Sequence, residues 1–228
     1  MATSEGRRRE VPEGRIFWRA QVGHGWEKIQ QDDDEFEVPG PYHQDRMRPL
    51  PDAAIEGRAN PKGISCLYLA TDKKTAKAEV RPSVGTYVSV GQFKTMRPLA
   101  LLDCSVSHNS GFNLYFEEPD VEERERAVWN DIDRAFSEPV TVSDSTADYA
   151  PTQILSELFK RKGYDGVVYK SNLGPGFNLV LFDPNAADII NCRLYSVKSV
   201  VYKYDEASNP YFVKKYYEQK TKTGQDDV

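Results

Sequence analysis

Histidine and cysteine are scarce, at three residues each in a chain of 228. His24, His43 and His108 show no ligand spacing, and Cys66, Cys104 and Cys192 form no C-x-x-C pair, so the sequence predicts no metal site. Each cysteine sits in an apolar, strand-like run and the number is odd, which reads as reduced, buried thiols of a cytosolic protein. The first thirty residues lack an apolar core of the kind a signal peptide needs, and no run approaches the roughly 20 apolar residues of a membrane span. The expectation is a cytoplasmic chain. Basic charge is not in excess either: 30 Lys and Arg face 35 Asp and Glu, for a net charge of −5. A broad nucleic-acid-binding surface is therefore not expected, and the basic run Arg7–Arg9 reads as a solvated tail. Several motifs are missing. There is no Walker phosphate loop and no G-x-S-x-G elbow, and Gly174-x-Gly176 precedes a strand, where a dinucleotide fingerprint would precede a helix.

What is present suits one domain, which at this length hides roughly 70% of its unfolded surface. The divisions read from composition are a flexible tail over residues 1–14, a domain over 15–205 and a polar tail over 206–228. Ile16, Trp18 and Ala20 alternate with Phe17 and Arg19, which predicts a strand with Arg19 on the face of Phe17. Residues 22–61 hold five prolines and the acidic run Asp32–Glu35. They read as a long irregular segment of the kind that serves a site or moves, with the acids as solvated surface. Ile64–Ala70 is a second strand. Thr71 or Asp72 caps a short helix to about Arg81, stopped by Pro82, with Ala76, Glu79 and Val80 on one face.

Tyr87–Phe93 and Leu99–Cys104 follow as strands. Asp120 and Glu123 form a capping box for a longer helix whose apolar stripe is Val128, Ile132, Ala135 and Phe136, ended by Pro139. Residues 139–151 read as loop. Thr152 then caps a helix with the stripe Ile154, Leu155, Leu158 and Phe159, closed by Gly163. Val167–Lys170 and Leu179–Phe182 are strands joined by the turn-rich Ser171–Gly176, and Ile189–Leu194 and Val197–Tyr204 complete the set. Short strands interspersed with a few helices predict an α+β fold: a single domain of short twisted β-sheets with a few flanking helices.

Six polar residues stand where packing prefers apolar ones, and each has an ordinary reading. Arg19 inside its strand is either a ligand-holding cation or an edge arginine whose stem covers apolar surface. Arg58, in Gly57-Arg58-Ala59-Asn60-Pro61, is a surface-loop arginine when taken alone. Glu79 is a helix-boundary residue reaching solvent or a carboxylate facing a cleft. Tyr68, between Leu67 and Leu69, is core when read by itself. Ser171 is common turn chemistry and Asn178 a strand-edge residue.

Taken in order they resemble a family. The runs GRANPKGISCLYLATDKKTAKAEVRP (Gly57–Pro82) and YDGVVYKSNLGPGFNLVLF (Tyr164–Phe182), with the opening strand IFWRA (Ile16–Ala20), are similar to the RES domain, named for an arginine, a glutamate and a serine. The resemblance covers roughly residues 15–204. It puts the family's arginines on Arg19 and Arg58, its glutamate on Glu79, its serine on Ser171, its strand tyrosine on Tyr68 and its asparagine on Asn178. The chain departs from the family in having Ala59 where an aromatic residue often follows the second arginine. It also has long stretches between Arg19 and Arg58 and over Asn109–Ala150.

The resemblance implies an ADP-ribosyltransferase-like fold and an enzyme acting on NAD⁺ as substrate, with no cofactor, often as the toxin of a toxin–antitoxin pair. The chemistry is consistent with that. Nicotinamide leaves NAD⁺ as a neutral base and needs no general acid, while the ribose carbon becomes cationic and welcomes a carboxylate. In this reading Glu79, Arg58 and Ser171 are catalytic, and Arg19, Arg58, Tyr68 and Asn178 bind NAD⁺. Arginine forks suit the pyrophosphate, Tyr68 suits the nicotinamide ring, and Ser171 and Asn178 hydrogen-bond the nicotinamide amide or its ribose. The expectation is an NAD⁺ glycohydrolase-type enzyme using water or phosphate as acceptor. An ADP-ribosyltransferase with a protein acceptor and a non-enzymatic nucleotide-binding module are the alternatives. Partners compatible with this reading are a helix-turn-helix-type antitoxin and a second copy of the chain in a homodimer, with neither nucleic acid nor membrane.

Overall fold

Strands rich in Val, Leu and Phe whose residues are apolar on both pleat faces need cover on both sides of a sheet. The computed structural model describes residues 2–31, 34–50, 54–107, 118–138 and 146–206 and supplies that cover. After a 3₁₀ turn at Ala2–Arg7 come β1 (Arg8–Val11), β2 (Ile16–Val22), β3 (Gly25–Gln31), β4 (Asp34–Gly40), α1 (Gln44–Met47), β5 (Leu67–Ala70), α2 (Lys73–Glu79), β6 (Tyr87–Thr95) and β7 (Leu99–Asp103). The chain continues through α3 (Val121–Ser137), α4 (Ala150–Arg161), β8 (Gly166–Lys170), β9 (Phe177–Leu181) and β10 (Ala187–Ser196). The fold is α+β, as the pattern predicts.

Eight strands form one sheet in the order β1-β7-β8-β9-β5-β2-β6-β10, and β3 with β4 forms a separate hairpin. β7 and β8 pair in parallel, so the chain between them must cross over, and α3 and α4 lie in that crossover. Alternation along β8 and β9 divides the core. Val168, Leu179 and Leu181 face one side with Phe17, Met47 and Phe93. Val167, Tyr169 and Val180 face the other, under Trp129 and Phe136 of α3 and Phe159 of α4. The rings of Trp129 and Phe159 stack at 6.5 Å and join the two helices. A smaller cluster of Ala20, Ala70, Ala76, Val88 and Val90 lies beneath α2.

Several expectations are corrected. Residues 8–11 of the presumed flexible tail form β1, paired with β7 from Arg8–Leu102 to Val11–Leu99, with Val11 buried; a polar edge strand carries no apolar alternation to reveal it. The presumed irregular segment 22–61 contains the β3–β4 hairpin, whose cross-strand pair Ile29–Phe36 is exposed. Ile64–Cys66 are not strand, and Val197–Tyr204 form no regular element after β10. In α3 the buried positions are Trp129, Asp133, Phe136 and Ser137, while Val128 is exposed. In α4 they are Thr152, Ser156 and Phe159, while Ile154 is 70% exposed. Small polar residues thus take the buried face: Ser156 Oγ donates to Thr152 O at 2.8 Å and satisfies itself within the helix. Thr152 does not cap α4; that position falls to Tyr149, whose carbonyl accepts from Thr152 Oγ1. The Asp120–Glu123 capping box is present as expected. Asp32, Asp33, His108, Pro139 and the tail from residue 207 lie outside the described residues.

Asp165 ties the start of β7 to the turn before β8. Its Oδ2 accepts from Ala100 N at 2.8 Å, and its Oδ1 pairs with Arg97 Nη2 at 2.7 Å. Burial pushes this carboxyl up, but Arg97 and the Ala100 amide outweigh burial and hold it below its ordinary 3.8. A carboxyl lowered by folding contributes stability that is present above about 3.8 and lost as pH falls through the folded value. Asp165→Asn should therefore cost about 1 kcal/mol at pH 7, a fall of roughly 2–4 °C in Tm. It should also flatten the acid limb of the stability profile below pH 4. Thermal melts of both proteins from pH 3 to pH 7 measure this, and an unchanged acid limb in the variant would contradict the role given to Asp165.

Candidate active site

Helix α2 is made of good helix formers and starts on a strong cap: Asp72 Oδ1 accepts from Thr75 N at 2.9 Å. It is stopped by Arg81, in a left-handed conformation at φ 44°, and by Pro82. Ala76 is buried against β2 and β5, and Glu79, one turn on, emerges at the end of the helix, exposed. The β8–β9 connection Ser171–Gly176 lies directly on the start of α2. A Cβ at Gly174 would come within 2.6 Å of Thr75 Cα, and one at Gly176 within 2.0 Å of Asp72 Oδ2. Only glycine permits this approach. Ser171 organises the loop, its Oγ accepting from Gly174 N at 2.9 Å and Leu173 N at 3.2 Å.

These two pieces meet at Glu79. Its Oε1 accepts from Ser171 Oγ at 2.6 Å and from Asn178 Nδ2 at 2.7 Å, and both donors belong to buried residues. No bond to Oε2 is formed among the described residues. The carboxylate borders a cleft of about 280 Å³ lined also by Arg19, Tyr68, Ala76, Tyr169 and Asn178. The cleft opens where β2 and β5 part, for these strands share the single pair Trp18–Ala70. Strand register sets its floor: Ala70 is opposite Asn178, which is opposite Tyr169.

Arg19 reaches across the parting, and its Nη1 donates to Tyr68 O at 3.1 Å. Burial, helped by nearby Arg46 and opposed by Tyr68, lowers its guanidinium to about 10. Its Nε is buried without a hydrogen-bond partner among the described residues. A cation so poorly compensated favours an anion beside it. Tyr68 presents its ring to the cleft, but its hydroxyl is engaged behind it, donating to Asn60 Oδ1 at 2.7 Å and accepting from Ala59 N at 3.0 Å. Burial pushes the phenols of Tyr68 and Tyr169 up, so both remain neutral.

Five of the six sequence candidates thus meet at one cleft, with Arg19, Tyr68, Glu79 and Asn178 lining it and Ser171 bonded to Glu79. Arg58 does not line the cleft. Both of its terminal nitrogens donate to main-chain carbonyls at the end of α3, those of Phe136 and Glu138, where a cation complements the free carbonyls of a helix C-terminus. Its guanidinium fork thus ties the end of α3 to the turn that holds Tyr68. Ser171 directs its one hydroxyl proton to Glu79. Sequence reasoning missed Tyr169 and Asn60. Tyr169 was findable, because it lies two residues before Ser171 on a five-residue strand and pairs with Asn178. Buried Asn60 was readable only as turn chemistry before Pro61, yet it fixes its own turn and Tyr68, with Nδ2 donating to Ile55 O and Ile64 O.

Residues 17–203 match the RES domain family, a span that holds all six candidates and runs from β2 past β10. Among solved structures, one chain in the crystal structure of the M. tuberculosis MbcT–MbcA toxin–antitoxin complex is similar at 13% identity and a TM-score of 0.45. That alignment covers 86% of this chain and 91% of the other. Comparison with curated proteins gave no match. With a family match that spans most of its length, this chain belongs to the RES domain family.

Proposed function

We propose that this protein is an NAD⁺ glycohydrolase-type enzyme that cleaves the nicotinamide–ribose bond, with water or phosphate as acceptor, and acts as the toxin of a toxin–antitoxin pair. The observation that carries the reading is Glu79: one oxygen is held by two buried donors, the other is unbonded among the described residues, and the carboxylate borders the cleft. A carboxylate fixed in this way needs no reorganisation when positive charge develops on the ribose carbon. Arg19 is the cation for the pyrophosphate, and its unsatisfied Nε supports that assignment. The rings of Tyr68 and Tyr169 border the cleft and suit a flat pyridinium. At about 280 Å³ the cleft suits the nicotinamide and its ribose, with the rest of the dinucleotide extending outward.

Incubation of the purified protein with NAD⁺, with products resolved by chromatography, tests the reading. Free nicotinamide with ADP-ribose or its phosphorylated form is expected. Intact NAD⁺ after incubation with folded protein would overturn it, and nicotinamide release that requires a protein acceptor would replace it with ADP-ribosyl transfer.

Glu79→Gln keeps an oxygen for Ser171 and Asn178 to bond but removes the charge. Its kcat should fall by roughly 10²–10³ with NAD⁺ affinity largely retained. Its melting temperature should hold or rise, since relieving a functional site's electrostatic strain commonly stabilises a fold. Near-normal turnover with a lower melting temperature would remove Glu79 from catalysis.

The two arginines should separate. Arg19→Lys should raise the KM for NAD⁺ roughly 10–100-fold, the worth of a lost charged hydrogen bond of about 1.5–3 kcal/mol. Arg58→Lys removes the fork from the end of α3 and should lower Tm by several degrees, with KM changed by less than about threefold. Paired melts and Michaelis curves measure both, and the reverse pattern would return Arg58 to the NAD⁺ site.

A further inference from the structure

Thr75 lies on α2 one turn before Glu79 and is fully buried, at 0% exposure. It does not border the cleft, so it has no direct part in the chemistry. Its hydroxyl is used twice. Oγ1 donates to Asp72 Oδ2 at 2.7 Å and accepts from Gly176 N at 2.8 Å. The first bond lies within the cap of α2, while the second crosses to the loop that carries Ser171. The neighbouring contacts point the same way: Phe177 N donates to Thr71 Oγ1 at 2.9 Å, and Gly174 and Gly176 pack against Thr75 with no room for a Cβ. From the other side Lys170 Nζ donates to the carbonyls of Pro175 and Gly176 and closes the loop on itself.

We infer that Thr75 is a positioning residue that sets the spacing between α2 and the Ser171 loop, and through it the hydrogen bond from Ser171 to Glu79. The helix brings Glu79 and the loop brings Ser171, and these arrive from points 92 residues apart in sequence. A 2.6 Å bond between them demands a fixed separation of the two elements. Thr75 Oγ1 supplies it, because one oxygen serves as acceptor for the loop and donor to the helix cap. Thr75→Val keeps the shape and deletes both bonds, leaving Gly176 N and Asp72 Oδ2 unmatched. The loop then moves away from α2 and Ser171 loses its grip on Glu79. Thr75→Ser keeps the hydroxyl.

This inference rests on Glu79 acting on NAD⁺, and two readouts separate them. The first is amide exchange by NMR, which needs no activity. In Thr75→Val, protection should fall at least about tenfold at Gly176 N and also at Gly174 N, whose hydrogen bond goes to Ser171 Oγ and not to Thr75. Thr75→Ser should resemble wild type. Loss of protection confined to Gly176 would overturn the inference whatever the enzyme's substrate. The second readout is a double-mutant cycle on NAD⁺ turnover. Thr75→Val should lower kcat by about 10–100-fold with little change in KM, as a small misplacement near the reacting centre does. In a Ser171→Ala background the same change should have little further effect, because the two act in series. Full additivity of the two losses would make Thr75 merely structural. A wild-type protein that leaves NAD⁺ intact would fail the functional reading alone, and the exchange result would still decide the role of Thr75.

Discussion

The hydrogen bonds that hold one carboxylate oxygen are the constraint on which the rest of the site depends. Glu79 Oε1 lies between Ser171 Oγ and Asn178 Nδ2, which stand on either side of the β8–β9 connection. Glutamate at a helix end is ordinarily a mobile, solvated side chain with rotamer entropy to lose on fixing. Here two buried donors fix it. The surrounding features serve that arrangement. Asp72 caps and aims the helix, glycines let the loop lie on it, and β9 carries Asn178 into register with Ala70 and Tyr169.

Charge is distributed around the cleft in an equally specific way. Arg19 supplies a half-buried cation whose ionisation is already disfavoured by desolvation, and Glu79 supplies an anion at the rim. The neutral phenols Tyr68 and Tyr169 line the same cleft. The proposed substrate, with a cationic ring at one end and an anionic diphosphate at the other, is complementary to these charges. Arg58 contributes from outside the cleft. By binding the carbonyls that end α3 it fastens the crossover helix to the turn that holds Tyr68, so its influence on the site passes through packing.

Much of this was legible from local chemistry. The caps of α2 and α3 and the strands flanking Ser171 each follow from residues a few positions apart, and local patterns are what sequence periodicity reports. The order Arg19, Arg58, Tyr68, Glu79, Ser171, Asn178 is legible in the sequence alone and resembles the family's. What was not legible depends on partners far along the chain. β1 has no apolar alternation and is a strand because β7 accepts it. The buried face of α4 is built from Thr152 and Ser156, whose hydroxyls bond inside their own helix, while Ile154 faces outward. The role of Arg58 depends on carbonyls about eighty residues away. The β3–β4 hairpin keeps most of its side chains in solvent, so burial leaves no periodic signature there.

The central claim is that the nicotinamide riboside end of NAD⁺ sits in this cleft beside Glu79. A crystal structure of the slow Glu79→Gln variant with NAD⁺ tests it most directly. The account predicts the ribose carbon that bears nicotinamide within about 3–3.5 Å of the residue 79 side chain, the separation of a near-attack geometry, with the pyrophosphate on Arg19. NAD⁺ bound with its adenine in the cleft, or elsewhere on the protein, would contradict it.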